Sequence, residues 1–173
     1  MARATIMLAM FLTGASTGAL LAQGPSRMLP GWAVGGSIQQ IGLSGVSTPT
    51  LTLRATKLPE QALGPDFAFS IFPEAFESGN LVFMTDLGLV GAARLPALSL
   101  LVRGGVSALA AVSAGSRGVL NLYLGGGAIV QISSSIGLRF DVERRFVVDD
   151  PRNGFFVVGV GITSIPRDRK SDG

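Results

Sequence analysis

A period of two, kept over whole segments, limits this chain more than any other feature it has. The stretch IGLRFDVERRF, Ile136 to Phe146, puts Ile136, Leu138, Phe140 and Val142 at even positions, followed by Arg144. Its odd positions are Gly137, Arg139, Asp141, Glu143 and Arg145. Side chains alternate between the two faces of a β-strand. The segment therefore reads as a strand with one oily face and one face carrying four charges in a row.

The same period recurs along the chain, with turn signals between the runs, and it predicts eight strands. Trp32–Leu43 sets Trp32, Val34 and Ile38 against Ser37 and Gln39. Thr50–Thr56 sets Leu51, Leu53 and Ala55 against Thr52, Arg54 and Thr56. DFAFSIF, from Asp66, sets Phe67, Phe69 and Ile71 against Ala68 and Ser70. Leu81–Leu95 opposes Leu81, Phe83, Leu87 and Leu89 to Asp86, Gly88 and Arg94. Leu98–Leu109 opposes Leu98, Leu100, Val102 and Val106 to Ser99, Arg103, Gly105 and Ser107. Leu120–Ile132 opposes its even-numbered apolar residues to Asn121, Tyr123, Gly125, Gly127 and Gln131. The seventh strand is the charged segment, and the eighth, Phe155–Ile162, opposes Phe156, Val158, Val160 and Ile162 to Val157, Gly159 and Gly161.

Alternation fits a soluble sheet with its apolar face in a core, and equally a membrane barrel with its apolar face in lipid. Composition favours the barrel. The chain is 47% hydrophobic and 14% charged, against a usual charged fraction of about a quarter. The polar faces hold Gly, Ser and Thr where a solvated surface would hold Lys and Glu. The runs are near the ~9–11 residues that a tilted strand needs to cross a bilayer. Connections add an asymmetry. LPA (Leu95–Ala97) and SSS (Ser133–Ser135) read as tight turns, whereas PEAFESGN, SAGSRG and VVDDPRNG read as longer loops on the opposite side. KLPEQALG (Lys57–Gly64) is long for its side. The competing helical reading falls on LVFMTDLGLVGAARLPALSLLV, which Asp86, Arg94 and Pro96 interrupt.

The N-terminus carries Arg3, an uncharged apolar run from Ala4 to Leu21, and small Ala22. By pattern this is a secretory signal peptide, with an uncleaved anchor as the alternative. The expected organisation is residues 1–22 as signal peptide, 23–165 as barrel and 166–173 as a polar tail. With these features the chain resembles the small eight-stranded outer-membrane barrels of the OmpA/OmpX type, over roughly Gly31 to Ser164. The resemblance implies an all-β, antiparallel up-and-down transmembrane barrel in a Gram-negative outer membrane. It also implies contact with outer-membrane lipid and with barrel-insertion machinery, and a lumen filled by side chains. The chain departs from that family in ending GITSIPRDRKSDG, with no terminal aromatic residue.

Catalytic readings are few. The chain has no Cys and no His, which removes Ser–His–Asp and Cys–His arrangements and the commonest metal ligand. Asp141 and Glu143 could act as an acid–base pair, but Arg139 and Arg145 would keep both ionised. GGG at Gly125–Gly127 is followed by more strand, where a phosphate-binding fingerprint needs a helix. Asp149 and Asp150 fit a solvated turn better than a cation site, and Arg167–Lys170 fits a solvated terminus. No cofactor, metal or nucleic acid is expected, and the chain is expected to be a monomer.

The charged face is instead expected to line the lumen, with Arg54, Asp86, Arg103, Arg139, Asp141, Glu143 and Arg145 as a network and Arg94 beside them. A tight turn at SSS would place Gly127 opposite Arg139 and Gly125 opposite Asp141. A return through Phe146–Gly154 would place Gly161 opposite Arg139 and Gly159 opposite Asp141. These small residues would leave room for the long side chains. The expected function is a non-enzymatic outer-membrane structural or interaction protein with external loops as its contact surface. The alternative is a periplasmic or secreted lipocalin-like barrel, apolar inside and charged outside, binding an apolar ligand. A lipid-acting membrane enzyme is a third possibility, without an identifiable nucleophile and base.

Overall fold

A computed structural model of the protein describes residues 31–43, 46–58, 63–77, 79–112, 117–150 and 152–165. The expected signal peptide and polar tail lie outside these residues. The strands are β1 (Trp32–Leu43), β2 (Val46–Lys57), β3 (Gly64–Ile71), β4 (Leu81–Leu95), β5 (Leu98–Val112), β6 (Arg117–Gln131), β7 (Ile136–Val147) and β8 (Gly154–Ser164). A five-residue helix, α1 (Pro73–Glu77), lies between β3 and β4. Each strand pairs antiparallel with the next, and β8 returns to β1, so the sheet closes into an eight-stranded barrel with no free edge.

The apolar faces point outward on every strand. Leu53, Leu87, Val102, Leu124, Val142, Phe156 and Val158 are among the large apolar side chains left exposed there. Arg139, Asp141 and Arg145 are at most 3% exposed and lie inside. This is the reverse of what a lipocalin-like barrel requires, and that alternative is corrected here. The helical reading fails as well: its segment is the β4–β5 hairpin, turning at Pro96–Ala97 with Leu95 paired to Leu98. Among the described residues, no helix is long and apolar enough to cross a membrane.

Two expectations about connections need correction. β2 starts at Val46 and not at Thr50, because Pro49 is accommodated opposite Gln40 with its side chain on the outer face. That leaves only residues 44–45 between β1 and β2, so one of the loops at the supposed long-loop end is very short. The contrast between the two ends is correspondingly modest. The β6–β7 register also differs. Gln131 pairs with Gly137, which shifts the pairing by two residues from the tight-turn expectation. The cause lies in the turn itself. The Ser133 hydroxyl accepts from the amides of Ser135 and Ile136 at 3.4 and 3.2 Å, and the Ile136 carbonyl accepts from Ile132 and Ser133. These bonds stabilise a connection longer than SSS alone. A shift of two keeps every side chain on its face, since strand parity is unchanged.

The interior has three layers. At the end holding the chain termini, Ala33, Leu58, Val90, Leu101 and Ile129 form an apolar cluster. At the loop end, Ile41, Phe72, Met84, Phe155 and Val157 form a second, with Ala75 of α1 packed on it. Gly79, at a φ of 72°, ends the α1 turn and donates to Phe76 O, and Asn80 donates to Ala75 O. Between the clusters lies a polar layer. The sequence writes this layering strand by strand: the inward residues of β4 run Val82, Met84, Asp86, Gly88, Val90.

Candidate functional site

The polar layer is the chemically distinctive part of the molecule, and β7 builds most of it. Alternation directs Arg139, Asp141, Glu143 and Arg145 inward from one strand. β2 supplies Arg54, β3 Asp66, β4 Asp86 and β5 Arg103, all buried. Every charged residue of the expected network is thus in the interior. Four arginines face four carboxylates, so the layer is formally neutral.

Arg145 forks onto Asp86 across the lumen, Nη1 to Oδ1 at 2.7 Å and Nη2 to Oδ2 at 2.8 Å. The same guanidinium donates to Glu143 Oε2 at 2.5 Å and Ser107 Oγ at 2.7 Å. Its Cζ stands 5.3 Å from the Tyr123 ring centroid. Arg54 bonds Asp66 at 3.2 Å and Asp86 at 3.3 Å. Its Nη2 also lies 2.7 Å from Glu143 Oε1, close enough for an ion pair though not aligned as a hydrogen bond. Asp141 accepts from Arg103 and, at 2.9 Å, from Arg139 Nε. Arg139 Nη1 donates to Thr56 Oγ1 at 2.8 Å, and Thr56 in turn donates to Asp66. The network therefore ties β7 to β2, β3, β4 and β5.

Asp66 was missing from the sequence expectation, although it shares parity with Ala68 and Ser70 on β3. Arg94, expected in the lumen, is corrected. It lies exposed at the terminal end of the barrel, where its Nη2 donates to Leu58 O at 2.8 Å. Exchanging Arg94 for Asp66 turns an expected excess of positive charge into balance.

The glycines make the crossing geometrically possible. Gly127 and Gly159 flank Asp141 on β6 and β8, and Gly125 faces Glu143. A Cβ at Gly127 would stand 2.5 Å from the Phe140 carbonyl oxygen, 2.6 Å from Asp141 Oδ1 and 3.0 Å from Arg103 Nη2. Arg139 is flanked by Gly161 but has Ile129 on its other side, a consequence of the shifted register. At Gly161 the crowding comes from the β1 backbone, with Gly36 O 2.2 Å from a would-be Cβ. Glycine there permits closure of the barrel more than it makes room for arginine.

Each carboxylate is held between guanidinium groups, and apolar clusters cover the layer at both ends. The arrangement braces strands against one another. Among the described residues no group of His, Cys, Asp and Glu is placed to hold a metal ion, and Asp149 and Asp150 stand exposed in the β7–β8 connection.

Solved structures of small barrels match this geometry. The N-terminal β-barrel domain of Pseudomonas aeruginosa OprF aligns with a TM-score of 0.59 at 9% identity, covering 76% of this chain and 96% of that one. Ail, the attachment invasion locus protein of Yersinia pestis, gives 0.56 at 14% identity, covering 79% and 99%. Neisserial surface protein A gives 0.54 at 6% identity, covering 79% and 96%. The chain has the fold of the small eight-stranded outer-membrane barrels. At these identities the likeness is one of fold alone. No protein-family model matches the sequence, and a search of curated proteins finds no match.

Proposed function

We propose that this chain is a non-enzymatic outer-membrane barrel with a structural or interaction role, in contact with outer-membrane lipid and inserted as a monomer by barrel-insertion machinery. The observation that carries the proposal is the apolar outer face, continuous over all eight closed strands, around a neutral and capped interior. Lipid satisfies such a face and water does not. With the interior occupied, the external end is the surface left for partners. There Phe76 of α1 is exposed, as are Val148, Asp149, Asp150 and Arg152 of the β7–β8 connection.

Cell fractionation followed by denaturing gels with and without boiling tests this reading. The protein should require detergent for release from outer membranes and should migrate differently after boiling. Free solubility, with mobility unaffected by heat, would overturn it.

A further inference from the structure

Arg144 points out of the barrel, among the apolar residues. Among the strand residues whose side chains are described, the outer face carries only Lys57, at the terminal end of β2, and Arg144 as charged groups, with no carboxylate. Arg144 lies two to three residues beyond the middle of β7. At roughly 2.5 Å of axial rise per tilted residue, its Cα is about 6 Å above mid-belt, whose half-height is about 12 Å. Its side chain turns further toward the loop end. The guanidinium carbon sits 4.5 Å from the Phe156 ring centroid and 5.6 Å from that of Phe146. Gly154 leaves the space beside it, since a Cβ there would meet Arg144 Nε at 3.1 Å and Nη2 at 3.2 Å.

Two rings and a bare backbone thus hold the guanidinium near the loop-end edge of the apolar belt, where headgroups begin, with no hydrogen bond or ion pair to another described residue. Its planar donors suit a phosphate oxygen pair. We propose that Arg144, Phe146, Phe156 and Gly154 form a seat for the phosphate of an anionic lipid headgroup in the outer leaflet. This rests on the membrane-barrel reading above.

The test uses the full chain in nanodiscs of phosphatidylcholine with a minor share of phosphatidic acid, the retained lipids being counted by native mass spectrometry. Wild type should enrich phosphatidic acid about fivefold over its bulk share, the effect of one basic residue at a charged headgroup. Arg144→Gln should abolish the enrichment. Arg144→Lys should keep part of it, having charge without the planar fork. Phe156→Leu should weaken it while leaving the charge in place. Added inorganic phosphate should leave the enrichment unchanged, because the acyl chains also anchor the lipid. Equal enrichment by wild type and Arg144→Gln overturns the seat. Displacement of the lipid by inorganic phosphate overturns the lipid as its occupant. Each variant's gel mobility with and without boiling is checked first. Failure of wild type to insert counts against the membrane-barrel reading, a different outcome from insertion without enrichment.

Discussion

At the scale of single residues, a buried charge is tolerable only while its partners remain. Arg145 alone satisfies oxygens on Asp86, Glu143 and Ser107. Arg145→Met should destabilise the barrel by about 3–5 kcal/mol, because the buried layer is left with one uncompensated negative charge and Asp86 and Glu143 lose their closest donors. Adding Asp86→Asn to it, which returns the layer to three charges of each sign, should recover a large part of that loss. Unfolding by urea in lipid vesicles measures both; a single variant as stable as wild type would show that the network contributes no bracing. Gly127→Ala should cost about 1–3 kcal/mol by the same assay, through overpacking against the Phe140 carbonyl, Asp141 and Arg103. The inward charges of β7 were legible in the sequence because parity alone assigns faces. Asp66 escaped notice because Asp at the start of a strand also reads as a turn residue. Arg94 was misplaced because parity gives the face and not the height along the axis.

At the scale of elements, pairing is harder to read than faces. Each of β6 and β7 shows its apolar row plainly, yet their offset depends on how many residues the turn absorbs. Ser133 decides that through two backbone hydrogen bonds, and a run of three serines does not announce which one caps. The absence of Cys from the chain makes a clean test possible. Cysteines at Ala128 and Phe140, which are directly paired, should crosslink readily under mild oxidation, since paired Cα atoms lie within disulfide range. Cysteines at Ala128 and Leu138 should not, although the tight-turn register would pair them. Efficient crosslinking of the second pair and not the first would restore that register.

For the whole molecule, the order of layers along the axis matters more than any one of them. A lumen that was polar from end to end would offer ions a hydrated path. Here the ion pairs lie between an apolar cluster around Val90 and another around Met84, and desolvating an ion at either is costly. Reconstituted in planar bilayers, the wild-type barrel should therefore show no steady conductance. Met84→Ser and Val90→Ser, each opening one end, should remain silent because the other cluster and the crossing arginines still obstruct the path. Bulk salt should also barely change the urea midpoint of the folded barrel, as pairs this deeply buried are poorly screened. A steady ohmic current from wild type, or a midpoint that falls steeply with salt, would mean that water and ions reach the charged layer. The interior would then act as a pore lining, and the eight charges would have to be reassigned from bracing to passage.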